Sequence, residues 1–88
     1  MLKQDNFTIS SPGRANPNLK IAFYLIHPGR VSVKVYTLSG REIVTVVNGN
    51  FGAGVHNLTW NTRKIAHGCY SIRMQAGPNL YVKSIPVF

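Results

Sequence analysis

Asp5 and Glu42 are the two carboxylates in 88 residues, one near the N-terminus and one just after a turn. General acid–base catalysis and glycoside hydrolysis use paired carboxylates at a controlled separation. Two acids so far apart in the chain do not offer that pairing. The histidines His27, His56 and His67 fall in separate segments, without the spacing of zinc ligands. A nucleophilic triad needs Ser or Cys, His and an orienting acid. No G-x-S-x-G run occurs, and Cys69 reads as core-adjacent filler. Gly49, Gly52 and Gly54 belong to a connection between strands, not to the strand-to-helix turn that cradles phosphate. The chain is therefore expected not to be an enzyme and to take neither metal nor cofactor. Asn6-Phe7-Thr8 and Asn57-Leu58-Thr59 match the glycosylation sequon. Both are read as coincidental, the second because it falls within a strand.

Binding chemistry is better represented. Ten Lys and Arg against two acids give a net charge of +8, which favours anionic partners such as acidic polysaccharide or a cell surface. The bases are scattered rather than run together, so no specific nucleic-acid partner is expected. Lys20, Tyr24, Lys34, Tyr36 and Arg73 share an outward parity on their strands. Tyrosine rings with flanking cations form a candidate ligand face, since sugars take aromatic platforms and polar side chains together.

Those residues must be positioned by strands. Leu19, Ile21, Phe23 and Leu25 alternate against Lys20, Ala22, Tyr24 and Ile26; Val31, Val33 and Val35 alternate against Ser32, Lys34 and Tyr36. His27-Pro28-Gly29-Arg30 and Leu38-Ser39-Gly40-Arg41 read as turns. Glu42 to Val47 is a β-branched strand, and Asn48 to Gly54 is expected as a glycine-rich loop. Val55 to Trp60 resumes extended structure, with His56, Leu58 and Trp60 on one parity and His56 partly buried. Asn61 to Gly68 is a connection. Cys69 to Gln75 is a strand with Tyr70, Ile72 and Met74 inward, and Gly77-Pro78-Asn79 turns into a last strand, Leu80 to Val87.

Residues 1–15 are expected as an N-terminal linker or edge segment, with Phe7 and Ile9 in a short strand and Asp5 in a frayed end. Residues 16–88 form the domain. No helical periodicity is sustained, and six or seven short strands with turns every 8–12 residues predict an all-β antiparallel sandwich. Its core is expected to hold Ile21, Phe23, Leu25, Val33, Val35, Leu58, Trp60, Tyr70 and Ile72. No apolar run approaches the ~20 residues of a membrane span. The N-terminus lacks an apolar signal core, so the address signal is expected elsewhere in a longer chain.

Three stretches carry a resemblance: Asn16-Pro17, Val33 to Arg41, and Gly54 to Trp60 with Gly68-Cys69-Tyr70-Ser71-Ile72. From Asn16 to the end the chain resembles the C-terminal sorting domain (type A) of the bacterial type IX secretion system. It is similar, too, to the Ig-like domain of the flagellar hook-capping protein. The resemblance implies an Ig-like sandwich of about seven strands at the C-terminus of a secreted protein, a hydrolase or adhesin, that directs export or surface attachment. Its partners would be secretion machinery or cell-surface components, and its location secreted or at the cell surface. The terminal strand, with Tyr81, Val82, Lys83, Ser84 and Ile85, is then the candidate sorting strand. Similar basic domains are appended to plant-cell-wall-degrading enzymes. A carbohydrate-binding module for acidic or plant-cell-wall polysaccharide is therefore the alternative reading, and a structural Ig-like brace is a further one.

Overall fold

The computed structural model describes residues 6–10, 18–63 and 65–87. Seven strands follow one another: β1 (Asn6–Ser10), β2 (Asn18–Leu25), β3 (Gly29–Thr37), β4 (Glu42–Phe51), β5 (Gly54–Asn61), β6 (Gly68–Ala76) and β7 (Asn79–Val87). They divide into a three-stranded sheet, β1-β2-β5, and a four-stranded sheet, β4-β3-β6-β7, with every pairing antiparallel. The chain changes sheet between β2 and β3, between β4 and β5, and between β5 and β6. No helix of the described residues is long and apolar enough to cross a membrane.

Period-two alternation becomes a single apolar layer. Leu19, Ile21, Phe23 and Leu25 of β2 face Val31, Val33 and Val35 of β3 and Tyr70, Ile72 and Met74 of β6, all buried. Leu58 and Trp60 pack against this layer but remain half-buried. They point inward from β5, an edge strand that among the described residues has no neighbour on its far side to cover them. Phe7 of β1, 3% exposed, and Ile85 and Val87 of β7 complete the core. Within residues 1–15, Asn6–Ser10 is thus an edge strand paired along its length with β2, rather than a linker. The Asp5 position and the turn signals at Ser11-Pro12-Gly13 and Asn16-Pro17 lie outside the described residues.

Two expectations need correction. Asn48 to Phe51 is strand, not loop: it continues β4 and pairs with Gly29–Ser32 of β3, leaving Gly52 and Ala53 as the connection to β5. Glycine and asparagine are tolerated there because β4 is an edge strand with little side-chain packing to lose. Cys69 is exposed instead of filling the core. With Tyr70 and Ile72 turned inward, the pleat turns Cys69 outward, opposite Pro86.

Side chains at the sheet-to-sheet corners hold the layers in register. Tyr70, entering β6, donates its hydroxyl to the Ala66 carbonyl at 2.6 Å, the geometry of a tyrosine corner. At the other crossover Phe51 ends β4 and meets His56 of β5 edge-on at 5.0 Å, while His56 stacks on Phe23 at 5.2 Å. The His56 Nε2 lies 2.7 Å from the Gly52 carbonyl. The β3–β4 turn closes through Gly40 N–H donating to Thr37 O at 2.9 Å, with Gly40 at φ +94°.

Tyr70→Phe is expected to lower unfolding stability by about 1 kcal/mol in a urea melt, because it removes one hydrogen bond and leaves the ring in place. Gly40→Ala is expected to cost about 1 kcal/mol or more through backbone strain alone, since the space around the glycine is open. Gly52→Ala, also in open space but without a positive φ, should be neutral or slightly stabilising. Equal effects at Gly40 and Gly52 would contradict the conformational argument.

Candidate functional site

On the outside of the four-stranded sheet, β3 presents Ser32, Lys34 and Tyr36, β6 presents Ser71, Arg73 and Gln75, and β7 presents Leu80, Val82 and Ser84. The ladder sets Lys34 directly opposite Arg73, and like charges in that relation repel. Each cation has its own counterpart. The Arg73 guanidinium lies 4.2 Å from the centre of the Tyr36 ring, within cation–π range. Lys34 Nζ lies 3.6 Å from the Glu42 carboxylate, which also accepts the Thr45 hydroxyl at 3.1 Å. Arg73 Nε is buried and makes no hydrogen bond among the described residues. Stacking therefore orients the arginine, while its Nε is left without an acceptor among the described residues. Ser32, Lys34, Tyr36, Arg73, Gln75 and Leu80 line a shallow depression of about 200 Å³. Gln75 donates to the Gly77 carbonyl at 2.8 Å and so ties this face to the β6–β7 turn.

Lys20 and Tyr24 belong elsewhere. They lie on β2, on the outer face of the three-stranded sheet, which looks away from the Arg73 face. Thr8, Lys20, Ala22, Asn57 and Thr59 surround a concavity of about 380 Å³, floored in part by the small Ala22. Tyr24, 43% exposed, stands beside Val55 at its end. The five residues expected on one ligand face are thus split three and two between opposite faces. Outward parity is the same for both sheets, and only the strand order says which outside a residue occupies.

A third concavity, about 210 Å³, lies at one end of the sandwich between the β2–β3 loop and the β6–β7 turn, with His27, Pro28, Arg30 and Pro78 in its wall. The Gly77 amide donates to the Arg30 carbonyl across it at 3.4 Å. Sequence reading marked both segments as turns but had no signal that they meet. His27 and His67 are exposed in connections between strands. Among the described residues, no group of three or more His, Cys, Asp or Glu could hold a metal ion.

The candidate sorting strand lies within β7, paired residue for residue with β6 from Asn79 to Val87. Its members differ in role. Ile85 is 4% exposed in the core and Tyr81 packs against it, Val82 and Ser84 face outward, and Lys83 shares the inward parity yet is exposed. Pro86 is accommodated because β7 ends the sheet, where a missing N–H need not break the ladder.

Residues 4–87 match the family described as "Secretion system C-terminal sorting domain". A search of curated proteins finds no match.

The Arg73 face generates a test of anion binding. Weak, salt-sensitive binding to polygalacturonate is expected, falling at least tenfold between 50 and 500 mM salt as screening shortens to roughly 3–5 Å. Arg73→Gln with Lys34→Gln should weaken it further, and neutral glucan should not bind. Isothermal titration would read all three. Salt-independent binding to the neutral glucan would contradict the electrostatic account.

Proposed function

The chain belongs to the family of secretion-system C-terminal sorting domains, and from that premise we propose that it directs type IX export or surface attachment through its β6–β7 hairpin. A sorting domain is non-catalytic in itself, and proteins that carry one are secreted or displayed at the cell surface. The partners follow from that role: the type IX secretion machinery first, and cell-surface components where the cargo is retained. The parent protein on this reading is a hydrolase or adhesin that holds its own active site elsewhere.

The observation that carries the proposal is the position of β7. β7 is an edge strand, paired on one side with β6 and, among the described residues, without a strand neighbour on the other. An edge of this kind offers backbone donors and acceptors to an incoming chain. The three-plus-four division of strands and the Tyr70 corner support an Ig-like reading of the scaffold that presents it. A second reading, an accessory module for acidic polysaccharide, is supported by the Tyr36–Arg73 platform with Lys34 beside it.

Deleting the terminal residues is a poor test, because Ile85 and Val87 are core residues and their loss would unfold the domain. Exposed positions on β7 separate recognition from folding. A reporter with an export signal, fused ahead of residues 1–88 in a type IX-competent bacterium, is expected to reach the surface or medium. Leu80→Asp with Val82→Asp, at sites 54% and 53% exposed, should cut delivery about tenfold while the isolated domain still melts cooperatively. Failure of the intact fusion to be delivered would overturn the sorting reading. Normal delivery of the double variant would remove β7 as the recognised element.

A further inference from the structure

Four strands bound the two sheets, and they are not equivalent edges. β1 is five residues long. β4 carries register shifts at Val33/Lys34 and Val35/Tyr36 of its partner, and such irregularities twist an edge away from further pairing. β5 is eight residues long and pairs with β2 without a shift, and the Phe51–His56 contact ties its first residues to the end of β4. β7 is long, pairs with β6 over nine residues without a shift, and exposes Leu80 and Val82 on its outer side. A regular, partly apolar edge of this length is a pairing hazard unless something guards it.

Lys83 is placed to do so. Its ladder partner is Ile72, which is fully buried, so Lys83 has the core-facing parity of an edge strand. An inward-pointing charge at an edge repels an apolar strand that would have to cover it. A second copy pairing antiparallel about Lys83 would set one ammonium against the other, which is also unfavourable. An acidic residue in that position would be attracted instead. The surrounding charge agrees: the chain carries +8, and Glu42, the one acid among the described residues, lies beside Lys34 on β3 rather than beside β7.

Resting on the reading of β7 as the recognised strand, we propose that β7 is a strand-addition site selective for an extended acidic segment of a partner protein. An Asp or Glu of that segment falls opposite Lys83, and apolar residues alternating with it fall beside Leu80 and Val82. Backbone hydrogen bonds supply the general affinity, the apolar pair sets which side faces out, and Lys83 sets register and charge. The same residue that keeps copies of this domain from pairing with one another selects the partner that does pair.

The test uses the 88-residue chain and three serine-flanked synthetic peptides, valine-threonine-valine-X-valine-threonine-valine, with X as glutamate, glutamine or lysine. Amide chemical shifts in an NMR titration locate the binding edge and give the affinities. Shift changes are expected from Leu80 to Ser84. Affinity should fall from glutamate to glutamine to lysine over a range of about tenfold at low salt, a spread that narrows at high salt. Lys83→Glu, at an exposed site, should leave the fold intact and reverse the order. Equal affinities, shifts confined to another edge, or an unchanged order in Lys83→Glu would each overturn the proposal. Export of the intact fusion is scored separately. Its failure overturns the sorting reading alone, and loss of peptide selectivity overturns strand addition alone.

Discussion

Alternating side chains on β2, β3 and β6 meet across one apolar layer, and the position of every other functional group follows from that meeting. Val33 and Val35 are fully buried, and Lys34 lies between them on the opposite side of the strand. A slip of one residue would exchange the valines for the lysine. The desolvation of an ammonium group makes that exchange far costlier than the loss of a few backbone bonds. Register is therefore determined by burial, and the outward places of Lys34, Tyr36 and Arg73 are its consequence.

The corners convert two flat layers into one body. Each change of sheet needs a contact that fixes where the next strand begins. Tyr70 provides one by reaching back to Ala66, and the Phe23–His56–Phe51 ring cluster provides another. Aromatic residues suit this work because one ring buries a large area while its polar atom still reaches a backbone partner. His56 is used in this way, which gives a structural reason for a histidine on an apolar parity.

Two facing cations on the outer sheet are kept apart by a ring and a carboxylate. Among the described residues β7 has no neighbour on its far side, and it carries Lys83 and Pro86. β7 is thus anchored through Ile85 and Val87 and exposed at Leu80, Val82 and Lys83. Anchoring and accessibility alternate along one strand because its pleat turns successive residues to opposite sides.

The strands other than the second half of β4, their inward parity and the turns at Gly40 and Gly77-Pro78 were legible in the sequence, because each depends on neighbours within a few residues. Gly29 and Arg30, read as part of a turn, instead begin β3 by pairing with Phe51 and Asn50. Of the expected core, Ile21, Phe23, Leu25, Val33, Val35, Tyr70 and Ile72 followed from the same local rule, while Leu58 and Trp60 are half-buried. Local rules failed where the answer depended on partners distant in the chain. Asn48 to Phe51 has turn-like composition, yet pairing with Gly29–Ser32 makes it strand. Lys20 and Tyr24 share a parity with Lys34, Tyr36 and Arg73, yet the order of strands sends the two groups to opposite faces. Lys83 reads simply as a base in a terminal strand until its pairing with Ile72 gives it the core-facing side of an open edge. A side chain's direction is set by its own backbone, whereas what lies in that direction is set by which strands become neighbours, and only the assembled sheets decide that.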